Sequence, residues 1–354
     1  MITKLFSYHY RPAVFGLDFS DHVVKAVELR HDRHGVKLRA LAERGIPDGW
    51  CVDGEIHEPS KIAQLIRTML AEPLQGKFST KACVASLPEQ HTFVKLITLG
   101  TFAPEERAEA VRWAASQHLP FNIEEVELDA EFHPELGAGK DLRVLIGAAP
   151  KNLVESVTTV LTSAGLHPVG LDLESTALAR AMAAPHDKAT EFIIDLGGNR
   201  TTVCIVYQGV VHFSSNLPFS GENLTRTVAS RLHLSTVEAE KAKRIFGLST
   251  TRGRGRVRAA LLPEFHALSE KLREIITFTQ NHFPTLPPVQ RVSLAGGGAL
   301  LGGVRELFAE ELKLPIEEFH VAVQDTGSKN ELPVGLRMRF STAIGLALQQ
   351  PKLS

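Results

Sequence analysis

The chain has 354 residues, 44% of them hydrophobic and 22% charged, and a formal net charge of −1. That length holds roughly two to four compact units with sizeable cores. The composition excludes disorder over most of the chain, and the near-zero charge excludes a global field for nucleic acid or anionic lipid. The longest apolar stretches, such as 142–150 and 340–348, are too short to cross a bilayer. Residues 1–10 lack the apolar region and cleavage site of a signal peptide. Cys51, Cys83 and Cys204 are odd in number and scattered, which predicts reduced core thiols in a cytosolic protein.

In chain order, residues 14–46 read as three strands with turns at 18–22 and 32–35. A helix follows over 59–70, with Ile62, Leu65, Ile66 and Met69 at helical spacing, and then a strand over 81–87. Residues 88–165 change character: a strand at 92–99, a helix at 105–118 started by Pro104, Glu105 and Glu106, strands at 127–133 and 142–148, and a helix at 152–164 form a small αβ insert. Trp113 on the first of these helices is read as half-buried packing, with an exposed anchor for a partner as the alternative. A strand at 169–173 and a helix at 175–182 lead to a linker near Pro185 and His186.

The second lobe opens with the hairpin of Phe192-Ile-Ile-Asp-Leu-Gly-Gly-Asn-Arg-Thr-Thr-Val-Cys-Ile-Val206, then a strand at 210–216 and a helix at 224–232 capped by the turn at Ser220. Ser235 caps a helix running to about Phe246. The run Arg252-Gly-Arg-Gly-Arg-Val-Arg258 reads as a solvated loop before a long amphipathic helix at 263–282. A Pro-rich linker, the strand into Gly296, Gly297 and Gly298, a helix at 301–312, a strand near 316–323, a loop rich in Asp, Gly and Asn, and a helix at 341–348 follow.

Within the central hairpin an apolar strand ends at Asp195 and turns through Gly197 and Gly198. Glycines let the backbone come close, successive N–H groups form an anion nest, and a carboxylate holds Mg²⁺ through water. The pattern fits a phosphate and its metal, and a Gly-Gly hairpin with an incidental Asp has the same look. The motif has an echo: Val14-Phe-Gly-Leu-Asp-Phe19 also runs into a carboxylate, Asp18, and Val23-Val-Lys-Ala-Val-Glu-Leu29 returns as a strand. Asp18 and Asp195 stand half the chain apart, which predicts a duplicated α/β lobe. The triglycine strand, emptying into a helix, is suited to laying a nucleotide against backbone.

The order of acidic turn, insert, second acidic turn, helical region and triglycine turn resembles the actin-like ATPases. Within them the chain is similar to the PilM family of type IV pilus assembly proteins, over roughly residues 14–350. The most specific stretches are Gly16-Leu-Asp18 with Val24-Lys-Ala-Val-Glu-Leu29, Ser86-Leu-Pro88 with Ala103-Pro-Glu-Glu106, Leu171-Asp-Leu-Glu174, Ser220-Gly-Glu-Asn-Leu-Thr225 with Glu238-Ala-Glu-Lys241, and Leu294-Ala-Gly-Gly-Gly-Ala299. The insert separates PilM and the related division protein FtsA from actin, and an FtsA is expected to end in an amphipathic membrane helix, unlike residues 349–354 here. The resemblance implies an α/β, two-lobed actin-like ATPase fold. The first-lobe core is 1–87, completed by 166–187 and 340–354, with the insert at 88–165. The second-lobe core is 188–225 and 286–339, with a helical subdomain at 226–285.

It also implies roles. Asp18 and Asp195 face each other across the cleft and order Mg²⁺ waters, Lys25 reaches the phosphates, and Gly197, Gly198 and Thr201 contact them from the second turn. Glu240 and Lys243 hold the ribose of ATP or ADP, and Gly296, Gly297 and Gly298 lie against the nucleoside and α-phosphate. One departure stands out: the first turn reads Asp18-Phe-Ser-Asp-His22, where the family offers Gly and small hydroxyl residues. Ser20 remains a donor, but two like charges about 4 Å apart cost roughly 4 kcal/mol at an effective dielectric of 20, so an inward Asp21 repels phosphate. The resemblance further implies a cytoplasmic scaffold recruited to the inner membrane by the N-terminal peptide of a PilN-like protein, seated between the first lobe and the insert, with other pilus components and self-association open. The alternatives are a pseudo-ATPase adaptor of a related secretion or competence system, an FtsA-like division protein, and an active ATPase or sugar-kinase-like phosphotransferase.

Overall fold

The computed structural model describes residues 13–32, 35–136, 141–183, 187–317 and 333–349. The expected linker at 185–186, the Asp/Gly/Asn loop and most of the strand expected at 316–323 lie outside them. The chain begins with β1 (Phe15–Phe19), β2 (Val23–Asp32) and β3 (Gly35–Gly45), the small hairpin β4 (Cys51–Val52) and β5 (Glu55–Ile56), α1 (Pro59–Ala71), β6 (Gln75–Gly76) and β7 (Ala82–Leu87). Then come β8 (Phe93–Leu99), α2 (Arg107–Ser116), β9 (Val126–Phe132), β10 (Leu142–Pro150), α3 (Lys151–Ser163), β11 (His167–Leu173) and α4 (Glu174–Met182). The second half holds β12 (Thr190–Leu196), β13 (Thr201–Tyr207), β14 (Val210–Leu217), α5 (Gly221–Leu232), α6 (Thr236–Phe246), α7 (Arg256–His282), β15 (Val289–Ala295), α8 (Val304–Leu312), β16 (Ile316–Glu317), α9 (Val334–Arg339) and α10 (Ser341–Leu348).

The duplication is written in the strand order. One sheet runs β11-β7-β1-β2-β3-β6 and the other β16-β15-β12-β13-β14. In both, the strand that ends at the key carboxylate lies between a parallel and an antiparallel neighbour: β1 between β7 and β2, β12 between β15 and β13. This is the two-lobed actin-like arrangement expected from the sequence. Helices α4 and α10 fill the space between the sheets, where Leu178, Ala181, Phe340, Ala343 and Ile344 share one core with Val27 of β2 and Ile193 of β12.

A separate three-stranded sheet, β8-β10-β9, is covered on one face by α2, whose Val111, Ala114 and Ala115 pack on Ile97, Val144 and Ile146. Helix α3, assigned to the insert by sequence, packs instead in the first-lobe core: Val157, Val160 and Leu161 share one cluster with Ile62, Ile66 and Phe15. Their i, i+3, i+4 spacing makes a single apolar stripe, and that stripe meets the first lobe.

Two further expectations give way to packing. Helix α7 begins at Arg256, so Pro263 lies inside it and half of the Arg/Gly run is helical. Val257 and Leu261 extend the buried stripe of Phe265, Leu268 and Leu272, and their burial outweighs the interior-proline cost of about 3 kcal/mol. The left-handed turn sits just ahead, at Gly253, Arg254 and Gly255. Trp113 is 69% exposed rather than half-buried, because the inward face of α2 is taken by Val111, Ala114 and Ala115.

The insert also touches the second lobe, where Leu96 and Leu145 pack on Val210. Beside this contact His212 has a buried Nε2 without a hydrogen-bond partner. Burial, with Arg143 and His133 adding like charge, pushes its imidazole down to about 4. Tyr207 meets the ring edge-on. As pH falls from about 6.5 toward 4, the unfolded chain takes up a proton there that the folded chain refuses, and stability drops by about 2 kcal/mol. Thermal melts across that range should show this loss, and His212→Asn should flatten the slope.

Candidate functional site

The C-terminal ends of β1 and β12 open onto one cleft, where ligands gather in α/β sheets. Asp18 pairs across the strands with Lys25, and the Lys25 Nζ stands 3.3 Å from Asp18 Oδ2. Ser86 Oγ donates to the other Asp18 oxygen at 3.4 Å and accepts the Phe19 N–H at 2.9 Å. Asp195 enters from the second lobe, and burial pushes its carboxyl up to about 6, with Lys25 opposing and Asp18 reinforcing. Burial works against the Lys25 ammonium, but Asp18, Asp195 and Glu43 outweigh it and hold it above its usual value. Glu174, at the start of α4, is raised well above the carboxylate range by burial and by Asp18, Glu89 and Asp195.

Asp18, Lys25, Glu174 and Asp195 line a cavity of about 130 Å³ together with Ser20, Asp21, Gly197, Gly198, Gly296 and Gly297. A second cavity of about 300 Å³ adjoins it, lined by Gly221, Glu240, Lys243, Gly298 and Leu300, with Gly197, Gly198 and Gly297 shared. The glycine turns meet back to back: a Cβ on Gly296 would fall 2.2 Å from Asp195 Oδ1, and one on Gly298 2.8 Å from Leu196 Cβ. Gly198 and Gly297 face open space.

Eleven of the twelve residues singled out by sequence line the two cavities, and Thr201 does not. Asp195 pairs with Thr202 and Leu196 with Thr201, so alternation along the strand turns Thr202 toward the cleft and Thr201 away from it. The Thr201 hydroxyl, fully buried, donates to the Phe219 carbonyl at 2.8 Å. Two others arrive already committed. Both the N–H and the hydroxyl of Ser20 donate to the Val23 carbonyl at 3.0 Å. Lys243 spends its three donors on Gly221 O at 2.6 Å, Thr225 Oγ1 at 2.7 Å and Glu240 Oε2 at 2.6 Å. Burial pulls the Lys243 ammonium down. It works against the Glu240 carboxyl too, but hydrogen bonds from Lys243 and Thr225 hold that carboxyl below its usual value.

Asp21 does point inward. It is 5% exposed, accepts the Gly54 N–H at 2.7 Å and the Cys51 thiol at 3.3 Å, and receives Asn199 Nδ2 from the opposite lobe. Arg200 stands 3.8 Å from the same carboxylate and donates to Gln90. His22 and Glu222, 3.2 Å apart, add a third contact across the cleft. Asn199, Arg200, Thr202 and Glu174 were missed by sequence, although Glu174 closes the quoted Leu171-Asp-Leu-Glu174 stretch at the end of a parallel strand.

The residues of the cleft have the chemistry that a hydrated Mg²⁺ and a nucleotide need. Among the described residues no three His, Cys, Asp or Glu side chains cluster closely enough to make a metal cage. Two convergent carboxylates instead suit a hard cation that keeps several waters. The glycine backbones bound the passage between a charged cavity and a less polar one, as an adenine nucleotide requires.

A family model described as Type IV pilus assembly protein PilM matches residues 16–351. Among solved structures, a chain of a PilM–PilN type IV pilus biogenesis complex is 28% identical with a TM-score of 0.79, covering 97% of this chain and 100% of that one. The cell division protein FtsA of Neisseria meningitidis is 24% identical over 237 residues, 59% of this chain and 55% of that protein. The ethanolamine utilization protein EutJ of Escherichia coli is 30% identical over 152 residues, 43% of this chain and 48% of that protein. The chain thus spans about half the length of these two curated relatives.

Removing the Asp21 carboxylate strips Gly54, Asn199 and Arg200 of a shared partner. Asp21→Ala should speed hydrogen exchange at Gly54 and in the 197–201 turn by about tenfold or more, with the far-UV spectrum unchanged. Unchanged exchange would show that Asp21 holds nothing across the cleft.

Proposed function

The chain belongs to the PilM family of type IV pilus assembly proteins, and from that premise we propose that it is a cytoplasmic scaffold of pilus assembly that binds ATP or ADP with Mg²⁺ between its lobes. The observation that carries the reading is the pair of adjoining cavities, one lined by Asp18, Lys25 and Asp195 and the other by Glu240, with glycine backbone between. Phosphates sit in the first and the nucleoside in the second. Asp18 and Asp195 hold the metal through its waters, Lys25 offsets phosphate charge, and Glu240 accepts from the ribose while Lys243 fixes its position. The cation supplies charge neutralisation for the phosphates when bound. Glu174, close to both metal-binding carboxylates, orders water at the phosphate end.

The partner is the N-terminal peptide of a PilN-like inner-membrane protein. Support comes from a groove of about 430 Å³ between the open face of the insert sheet and β11 and α4, lined by Val94, Leu145, Leu171, Leu173 and Arg180. One wall is β9, an edge strand whose Glu127, Asp129 and Glu131 form an acidic row on the groove face. An edge strand accepts an added strand through its backbone, and this row favours a peptide with apolar anchors and basic residues. Among the described residues no helix is long and apolar enough to cross a membrane, and in this reading the partner brings the chain to the membrane.

The Asp21 contacts support a second reading, an adaptor whose cleft closes without nucleotide. Calorimetric titration with Mg-ATP separates the two. Saturable binding that weakens at least about tenfold in Asp195→Ala is expected, and no binding by the wild type up to millimolar ATP leaves the adaptor. In the groove, Asp129→Arg should weaken binding of the PilN-like cytoplasmic peptide by about tenfold and leave ATP binding unchanged. Equal peptide affinity in the variant would move the partner elsewhere.

A further inference from the structure

The two cavities share Gly197, Gly198, Gly297 and one residue with a side chain, Arg339. Its position is built. The Gly296 N–H donates to the Met338 carbonyl at 2.9 Å, which ties the last turn of α9 to the triglycine turn. Just beyond, Ser341 and Thr342 of α10 line the charged cavity. The Arg339 side chain is 42% exposed and is held from the first lobe by Glu43, Arg339 Nη2 standing 2.7 Å from Glu43 Oε2. Glu43 is 12% exposed, and its Oε1 is buried without a hydrogen-bond partner. The sequence reading assigned nothing to Arg339 or Glu43.

A ligand that occupies both cavities runs its connecting segment past the glycines and Arg339 that line both. We infer that Arg339 grips the phosphate nearest the nucleoside, and that Glu43 sets the strength of that grip by competing for the same guanidinium. This rests on the nucleotide reading of the cleft. A planar, permanently charged fork suits phosphate oxygens, and partial exposure lets it turn from Glu43 to the ligand. Because Glu43 keeps a claim on Arg339, the grip also spans the lobes: β3 contributes the carboxylate, α9 the cation.

The test is equilibrium titration of the full chain with Mg-ADP and with adenosine. The wild type should bind ADP more tightly than adenosine. Arg339→Gln should lose about tenfold in ADP affinity and nothing for adenosine, with Arg339→Lys recovering part of the loss. Glu43→Gln should tighten ADP binding by about threefold, and that gain should vanish on the Arg339→Gln background. The double variant, in which two amides face each other, keeps the fold where a lone change strands the buried Glu43 oxygen, and a thermal melt checks this. An unchanged ratio of ADP to adenosine affinity in Arg339→Gln overturns the inference alone. A wild type that binds neither ligand overturns the nucleotide reading and this inference with it.

Discussion

Helix α10 lies so close to its neighbours that a Cβ on Gly16 would fall 2.0 Å from the Ala343 carbonyl, and one on Gly345 1.8 Å from the Ala177 carbonyl. Only glycine permits that approach, and the small residues Ala177, Ala343 and Ala347 keep α4, α10 and β1 together. The site depends on this closeness. It fixes the distance between the two sheets, so that β1 and β12 end on the same cleft and their carboxylates share one patch of low dielectric. Carboxylates gathered there repel one another, which is why Lys25 sits directly opposite Asp18 and why burial, with that repulsion, holds the Asp195 and Glu174 carboxyls above their usual values.

Much of this was legible because local signals and the fold agree. The apolar runs that stop at Asp18 and Asp195 are strands, Ser235 with Glu238 forms a capping box, and the triglycine follows a strand. What escaped the sequence is decided by distance rather than by pattern. Thr201 and Thr202 are equivalent as letters, and pairing register alone chooses Thr202. Pro263 looks like a helix start until Val257 and Leu261 are seen to be buried. Asp21, set against phosphate if it points inward, does point inward, and Gly54, Cys51, Asn199 and Arg200 gather around its carboxylate. Arg339 carries no motif, and only the fold brings the end of α9 to the triglycine turn.

The contacts that bridge the cleft are polar and modest. Asp21 with Asn199, His22 with Glu222 and Arg339 with Glu43 each join one lobe to the other, and the last two are partly exposed. Exposed ion pairs contribute on the order of 0–1 kcal/mol each, so the two exposed pairs contribute little to an equilibrium between open and closed arrangements. A ligand needs a differential affinity of only a few kcal/mol to shift such an equilibrium. Such a balance would suit the proposed scaffold, whereas rapid turnover calls for groups pre-set around a transition state.

The groove beside β9 and the cleft are joined through the same helix. Arg180, on the groove wall, donates to Asp172 at 2.8 Å and to the Gly345 carbonyl at 3.0 Å, gripping α10 in its middle. The other end of α10 presents Ser341 and Thr342 to the charged cavity. A second link runs through Leu145, which lines the groove and packs on Val210 of the second lobe. An occupant of the groove that redirects Arg180 therefore acts on the element that sets the lobe spacing, and a cleft occupant acts on it from the opposite end. Linkage makes such an effect reciprocal: whatever partner binding does to nucleotide affinity, nucleotide binding does to partner affinity by the same factor. Helix α10 meets β1 at Gly16 and α4 through its own Gly345, with Ile344 and Leu346 fully buried beside its small residues. It is the physical element on which both sites bear.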